Sequence, residues 1–573
     1  MHRRWILKES DPRARDTLSR ALAVSPLVAA VLAARGFAEP ESARAFLNPS
    51  LSALPDPDLI PGMGAAAERL VRAAHAGETV WVYTDYDVDG VTCAALLSEF
   101  FTSCRMPCRV RLPRRDREGY GLHPDALDDI AGQGGRLVVT ADTGISSLAE
   151  ARHARRLGID LLITDHHTPG AELPDAMAVV NPKLAGSSYP DPMIAGVGVA
   201  WNLAVSVRRR LREAGWFAAA PEPDLRDVLD LVALGTVADV APLKGVNRAL
   251  VAVGLRRLNE PGARLGVQAL RELSAVKGEL RAGHIGFQLG PRLNAAGRME
   301  GPDDALHLLS ARDLPAARQL AGRLDALNRR RQTEERAIVE AARERVEREG
   351  WVPGRWSLVV EGEAWHEGIL GIVASRLADA YYRPTVVVSL GAGKGSARSI
   401  PGLSLIEALG DCAAHLERFG GHAAAAGMRV AEGQVGAFRE AFEAAVRRRL
   451  TVEQLLPVLW LDAEVPLGGL TLAAVGELPA LEPFGVGNPT PMLLARGVGV
   501  LDVRPIGKDG DHLKFRLEQG GRRYDGLAWR KAEGLAHVRP GDAVDLAYTP
   551  QVNEWNGALR VQLTVEGMRP PGG

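Results

Sequence analysis

From Val80 onward the chain repeats one pattern: an apolar run, a short polar motif, then an amphipathic stretch. VWVYTDYDVDG is followed by VTCAALLSEFF, RLVVTADTGIS by SLAEARHARRLG, and IDLLITDHH by a proline-containing loop. Runs of β-branched and aliphatic residues alternating with helical stretches predict a parallel sheet covered on both faces. In such sheets functional groups gather at the carboxyl ends of the strands, and each polar motif falls at such an end. A stretch without proline from Ala316 to about Gly350 predicts a connecting helix. A second α/β lobe opens with SLVVEGEAWHEGILGIVASRLADA and runs to about Leu450.

Beyond Pro457 the period changes. MLLARGVGVLDVRPIG, HLKFRLEQGGRRYDGLAW and AVDLAYTPQVNEWNGALRVQLTVEG alternate short strands with Gly-rich turns. That spacing predicts a small antiparallel barrel, with the OB fold the first candidate. Residues 1–75 read as short helices between proline-rich breaks, and residues 568–573 as a frayed tail. The expected divisions are 1–75, 76–300, 301–350, 351–450 and 451–573.

Length supports this division, because 573 residues exceed what one core organises. No apolar run of spanning length is present, and MHRRWILKESDPRAR has no apolar stretch of signal-peptide type behind its basic residues. A cytoplasmic protein is expected, and only four cysteines agree with a reducing compartment. Cys104 and Cys108 have zinc-like spacing but no second pair to complete a site. Net charge is −1, so composition does not announce a polyanion partner. Basic clusters occur at 109–117, 208–210, 328–331 and 447–449, and each alone reads as a solvated helix face. A basic track beside an acidic metal site would still bind phosphates without raising the pI.

The candidate chemistry is acidic. Asp85, Asp87 and Asp89 stand at every second position before Gly90. In an extended segment these carboxylates share one side, and the glycine lets the backbone turn away. Asp142 ends TAD, His166 and His167 follow Asp165, and Asp239 ends GTVAD. Bare carboxylates on apolar strands are costly to bury. Divalent cations remove that cost, and mixed carboxylate–imidazole ligation suits Mn²⁺ or another first-row metal. Each motif alone has an ordinary reading, as a calcium loop or a helix cap. Their joint occurrence in this order points to a dinuclear site.

DYDVDG, TADTG, DHH and GTVADV resemble the four motifs of the DHH phosphoesterase superfamily. PRRDREGYGLHP, IAGVGVAWNL and QLGPRLNAAGRMEGPDDAL narrow the resemblance to the RecJ family. WHEGILGIVASRL, YRPTVVVS, GKGSARSIPGLSL and GGHAAAAGM resemble the associated DHHA1 domain, and LEPFGVGNPTPML, IGKDGDHLKFRL and NEWNGALRVQL the family's OB segment. The resemblance covers about residues 75–568. It implies a two-lobed DHH and DHHA1 α/β core with parallel sheets joined by a long helix, plus a C-terminal OB-fold barrel. It implies a single-stranded-DNA exonuclease of DNA repair and recombination that works in the 5′ to 3′ direction with two Mn²⁺ or Mg²⁺ ions. One ion would take Asp85, Asp87 and Asp142, and the other Asp89, Asp142, His166 and Asp239. His167 would face the phosphate as an acid or electrostatic stabiliser. Thr84, Ala141, Ala195 and Val197 stand where the family usually has other small residues and Ala241 where a second valine is common, and none of these removes a ligand.

On the substrate side, Arg115, Arg298, Ser396 and Arg398 are candidates for the terminal 5′ phosphate, since arginine forks match phosphate oxygens. Tyr120 is a candidate for base stacking, and His422 for the cleft wall. Trp529, Trp555, Lys508, Lys514 and Arg560 are available for single strands in the barrel. The resemblance implies a monomer, with a single-stranded-DNA-binding protein and a RecQ-type helicase as partners. Contacts made by an additional C-terminal domain of some relatives are not carried over. Two other readings remain at this stage: an oligoribonucleotide or cyclic-dinucleotide phosphodiesterase, and a non-catalytic replication scaffold. The barrel disfavours the first, and the complete ligand set the second.

Overall fold

The computed structural model describes residues 3–572 except Asp116, Arg117, Tyr120 and Ala220; the side chains of Ala219 and Trp555 are also outside the description. Tyr120 and the Trp555 ring, both singled out from the sequence, therefore lie outside the described residues. The chain forms two compact units, one of Leu51–Leu455 and one of Met1–Ser50 with Leu456–Gly573.

The larger unit begins with a parallel sheet of β1 (Val80–Thr84), β2 (Cys108–Arg111), β3 (Leu137–Ala141), β4 (Asp160–Thr164) and β5 (Ala178–Val180), in the order β2-β1-β3-β4-β5. Register pairs Thr84 with Ala141 and Ala141 with Thr164, so three strands end level. The residues that follow, Asp85, Asp142 and Asp165, consequently emerge along one edge. Alternation fixes the two faces. Val82, Val139 and Leu162 pack with Leu96, Phe100 and Leu203, while Trp81, Val138 and Ile163 pack with Leu127 and Ile130. The helices α1 (Val88–Ser103), α2 (Gly196–Glu213) and α3 (Leu229–Ala238) pack into the core on the first of these faces. Phe100 is completely enclosed, and its truncation to alanine should cost about 3–5 kcal/mol.

Helix α4 (Gly290–Met299) precedes the long α5 (Leu314–Arg348). Asp313 caps α5 by accepting from the Ala316 amide at 2.9 Å. The first half of α5 buries Ala317, Ala321 and Leu324 in the core of the first sheet; the second half buries Ile338, Ala342 and Val346 in that of the next lobe. One helix thus serves two cores. The second sheet contains β6 (Leu358–Gly362), β7 (Thr385–Ser389), β8 (Lys394–Arg398), β9 (Leu416–Gly421) and β10 (Ala425–Val430), in the order β9-β10-β8-β7-β6. It is mixed, with only β6 and β7 parallel. Helix α6 (Leu370–Tyr381) covers β7 and β8 from one side.

In the other unit, β11 (Leu493–Ile506), β12 (His512–Gln519), β13 (Arg522–Ala528), β14 (Ala543–Trp555) and β15 (Ala558–Arg569) form a barrel that closes through β11 and β14. Residues 1–75, read from the sequence as one helical segment, divide at Ser50. Leu18, Val28 and Leu32 share a core with Leu493, Phe515 and Leu546, because the short N-terminal helices need an apolar partner and the barrel provides it. The expected frayed tail is also corrected. Arg569 ends β15 near buried Asp545, and the Gly572 amide donates to that carboxylate at 3.4 Å. Among the described residues no helix is long and apolar enough to cross a membrane.

Candidate metal centre and arginine cleft

Asp85 directly follows β1, but the next two carboxylates do not continue an extended segment. Asp87 is the N-cap of α1, and its Oδ1 accepts from the Asp89 and Gly90 amides at 2.9 and 3.1 Å. Asp89 lies in the first helical turn. The expectation of a β-type alternation that Gly90 ends is therefore corrected: the helix starts inside the motif. Gly90 is needed for close approach, since a Cβ there would stand 2.4 Å from the Asp85 carbonyl oxygen.

Asp142 adopts a left-handed φ of 62° just beyond β3, a conformation that costs a non-glycine residue and is held only by surrounding structure. Asp239 is the C-cap of α3. The Asp89 carboxylate accepts from the Gly196 and Val197 amides, at 2.7 and 3.0 Å, where α2 begins. Gly196 is forced by crowding, because a Cβ would approach Asp142 Oδ1 to 2.8 Å. His166 Nε2 is 3.1 Å from Asp142 Oδ1 and 3.9 Å from both Asp89 Oδ2 and Asp239 Oδ2. Asp85, Asp87 and Asp142 form one group with ligand atoms within 4.8 Å; Asp89, His166 and Asp239 form a second, and Asp142, His166 and His167 a third. Asp142 belongs to two of them.

Burial, reinforced by neighbouring carboxylates, raises the Asp85, Asp142 and Asp239 pKa values well above the usual range, and that of Asp89 to about 7. Burial also pushes His166 down to about 3. Asp85 Oδ1 and His166 Nε2 are enclosed without a hydrogen-bond partner. Buried polar atoms of this kind require a partner, and convergent carboxylates with a neutral imidazole define it as cationic.

His167 differs from His166. Its Nδ1 lies 2.7 Å from Asp165 Oδ1, and Asp165 also accepts from the His166, His167 and Ile145 amides. Burial, the largest single influence, opposes a charge on His167, but the Asp165 hydrogen bond together with the charges of Asp165, Asp87 and Asp85 raises its pKa. His422, from the second lobe, stacks on His167 with ring centroids 6.1 Å apart and planes 9° from parallel. In the sequence Asp165 shows only as part of the DHH string; its buried position, 2.7 Å from His167 Nδ1, suits it to orient that ring. Lys183, whose Nζ donates to the His166 carbonyl, had no signal in the sequence beyond its place after a strand.

Beside the acidic group lies a cleft of about 850 Å³ lined by Arg115, Arg298 and Ser396. Burial and the neighbouring Arg115 push Arg298 down to about 10 and lower Arg398 as well. Arg298 donates to the Gly368 carbonyl at 3.2 Å, Arg398 to Ser396 Oγ at 3.3 Å, and Arg115 lies over the Tyr86 ring at 5.4 Å. Among the described residues none of these three arginines has a carboxylate partner. Gly371, unmarked in the sequence, makes room for them; a Cβ there would meet Arg398 Nη2 at 2.8 Å. The other basic clusters are neutralised locally: Arg209 and Arg210 by Asp58, Arg331 by Glu335, and Arg448 and Arg449 by Asp411.

Three family models match in order: the DHH family N-terminal domain at residues 79–236, the DHHA1 domain at 356–448, and the RecJ OB domain at 461–567. The single-stranded-DNA-specific exonuclease RecJ of Dickeya dadantii is 40% identical over 541 residues, spanning 91% of this chain and 93% of that protein. The chain belongs to the RecJ family. Crystal structures of Thermus thermophilus RecJ in complex with Mn²⁺ and with Mg²⁺ superpose with TM-scores of 0.86 and 0.80, at 32% and 31% identity; both cover all of this chain, and 80% and 79% of theirs. The donor set of this RecJ-family chain fits such ions, with carboxylate oxygens suiting both and His166 favouring Mn²⁺.

Proposed function

We propose that this RecJ-family chain hydrolyses single-stranded DNA from a 5′-phosphorylated end, in DNA repair and recombination. The observation that carries the reading is the adjacency of opposites: a buried cluster of convergent carboxylates opens beside three arginines that have no carboxylate partner among the described residues. Asp85, Asp87 and Asp142 would hold one divalent ion, and Asp89, Asp142, His166 and Asp239 the other. When bound, two such ions activate a water and stabilise charge in an in-line phosphodiester displacement.

The chain's own residues do the rest. Arg115, Arg298, Ser396 and Arg398 grip the terminal phosphate, whose extra charge distinguishes an end from an internal linkage. That grip sets which end is placed over the carboxylates. Asp165 orients His167 through Nδ1 and raises its pKa, so the ring is placed to stabilise phosphate charge or supply a proton. His422 stacks on that ring from the second lobe. In the barrel, half-exposed Trp529 and exposed Lys508 offer stacking and charge to a strand with little sequence preference. A small-substrate phosphodiesterase would not need this barrel.

The deciding assay uses one oligonucleotide labelled at either end, with Mn²⁺, Mg²⁺ or EDTA. Mononucleotide release from the 5′ label with either metal, and none with EDTA, is expected. Release that starts at the 3′ label would sink the polarity while leaving the metal chemistry intact.

A further inference from the structure

The arginine cleft is longer than one terminal phosphate requires. Its floor is the face of the second sheet that α6 leaves uncovered at β9 and β10. Lys394, Ser396 and Arg398 alternate along β8, and pair with Arg429, Gly427 and Ala425 on β10. On β9, Arg418 lies opposite Arg429 and Gly420 opposite Gly427. The intervening Ala397, Ala426 and Met428 belong to the core on the other side, so the first set shares the cleft face.

Rows of side chains therefore cross the floor. Arg398 and Ser396 head the two rows assigned above to the terminal phosphate. A third row, Lys394–Arg429–Arg418, lies two residues further along β8, about 6.6 Å beyond Ser396. Gly420 and Gly427 lie in the Ser396 row, and a Cβ on either would meet nothing within 4 Å. The floor beside the third row is thus bare backbone open to the cleft. Along β9 the order is Arg418, Gly420, then His422 stacked on His167, so the third row lies away from the metal centre. A strand held by its terminal phosphate, with its first linkage over the carboxylates, leaves this row unused. Lys394 pairs with Glu367, and Arg429 with Glu417 at 2.9 Å, in partly exposed pairs that exchange readily. Arg418 is exposed and has no carboxylate partner among the described residues.

We propose that Lys394, Arg429 and Arg418 form a subsite for the outer phosphates of a polyphosphorylated 5′ end, so that a 5′-triphosphorylated strand loses its first residue as an intact nucleoside triphosphate. The inference rests on the 5′-end reading above. In the step, a water oxygen bonds to the phosphorus between the first and second nucleotides, and the bond from that phosphorus to the first 3′ oxygen breaks. That oxygen takes up a proton. The products are a nucleoside 5′-triphosphate with a free 3′ hydroxyl and a strand one residue shorter with a 5′ monophosphate.

The test uses the full chain with Mn²⁺ and one oligonucleotide carrying a 5′ hydroxyl, monophosphate or triphosphate, with first products resolved chromatographically. Nucleoside triphosphate should be the first product from the triphosphorylated strand. In the exposed-surface variant Arg418→Ala/Arg429→Ala, the KM for that strand should rise about tenfold or more, as expected for lost charge-assisted hydrogen bonds, while the monophosphate KM stays nearly unchanged. Cutting of the monophosphorylated strand with refusal of the triphosphorylated one overturns the subsite alone. So does a dinucleotide as first product, which would place an internal phosphate on the row, or an equal KM change for both strands. Failure to cut the monophosphorylated strand from its 5′ end overturns the underlying reading as well.

Discussion

The acidic centre and the arginine cleft are both clusters of like charge, but they are built differently. The acidic centre stands on one sheet: three strands end level, and Asp85, Asp142 and the Asp165–His167 turn follow directly from that register. The arginine cleft is assembled from remote segments, with Arg115 after β2, Arg298 at the end of α4, and Ser396 and Arg398 on β8 of the second lobe. The first is pre-formed by local sequence and topology. The second depends on how the long α5 joins two cores. Loss of a ligand should therefore destroy chemistry outright, whereas loss of an arginine should alter which strand end is chosen.

The largest effect is expected where the acidic groups meet. Asp142→Ala removes the residue shared between two ligand groups, and should reduce hydrolysis by about a hundredfold or more, the usual cost of one electrostatic catalytic contribution. Single-stranded DNA should still bind. Retention of more than a tenth of the wild-type rate would deny Asp142 its shared role.

Next comes the cleft. Arg298→Ala/Arg398→Ala should lower the preference for 5′-phosphate over 5′-hydroxyl strands by about tenfold or more, since each charge-assisted hydrogen bond is worth about 1.5–3 kcal/mol. Competition between the two strands measures this directly. If general affinity falls as much as the preference, the arginines hold the backbone and not the end.

The same contrast explains what could be read before the structure. The strand–motif–helix rhythm exposed the first sheet, because apolar periodicity and strand-end acids are local features. It misjudged DYDVDG, because α1 begins within the motif, with Asp87 as its cap and Asp89 on its first turn. Gly196 and Gly371 went unread because the carboxylate and guanidinium they accommodate come from distant segments. The division at Ser50 was hidden for the same reason: the partners of Leu18 and Leu32 lie more than four hundred residues away in sequence. The family resemblance supplied Arg115, Arg298 and Arg398 as candidates, while their lack of carboxylate partners among the described residues is visible only in three dimensions.

A smaller effect separates His167 from the metal ligands. Asp165→Asn keeps the shape but removes a charge that raises the His167 pKa. The turnover rate should fall by about tenfold or more, within the range of a positioned proton donor. The basic limb of its pH profile should also move to lower pH, because His167 would lose its proton earlier. A lower rate with an unmoved profile would make Asp165 only a structural support for the turn.

The smallest effect concerns stability and sets the acidic centre against the rest of the molecule. In the metal-free protein, Asp89 has its pKa raised to about 7, and those of Asp85, Asp142 and Asp239 are raised well above the usual range, by burial and neighbouring carboxylates. In the unfolded chain these carboxyls titrate at about 3.9. Between those values the folded protein binds more protons than the unfolded one, so this region's contribution to stability falls as pH rises through about 4 to 7 and beyond. A divalent ion reverses that dependence, since it needs the ionised carboxylates and must displace their protons. Mn²⁺ at a hundred times its dissociation constant should add about 2.7 kcal/mol, and its dissociation constant should tighten with pH. At one fixed Mn²⁺ concentration, the rise in melting temperature should thus be larger at pH 8 than at pH 5.5. The arginine cleft offers no such dependence at Arg298, which is lowered only to about 10 and stays charged across this range. An equal Mn²⁺ shift at both pH values would place the ion elsewhere than on the buried carboxylates.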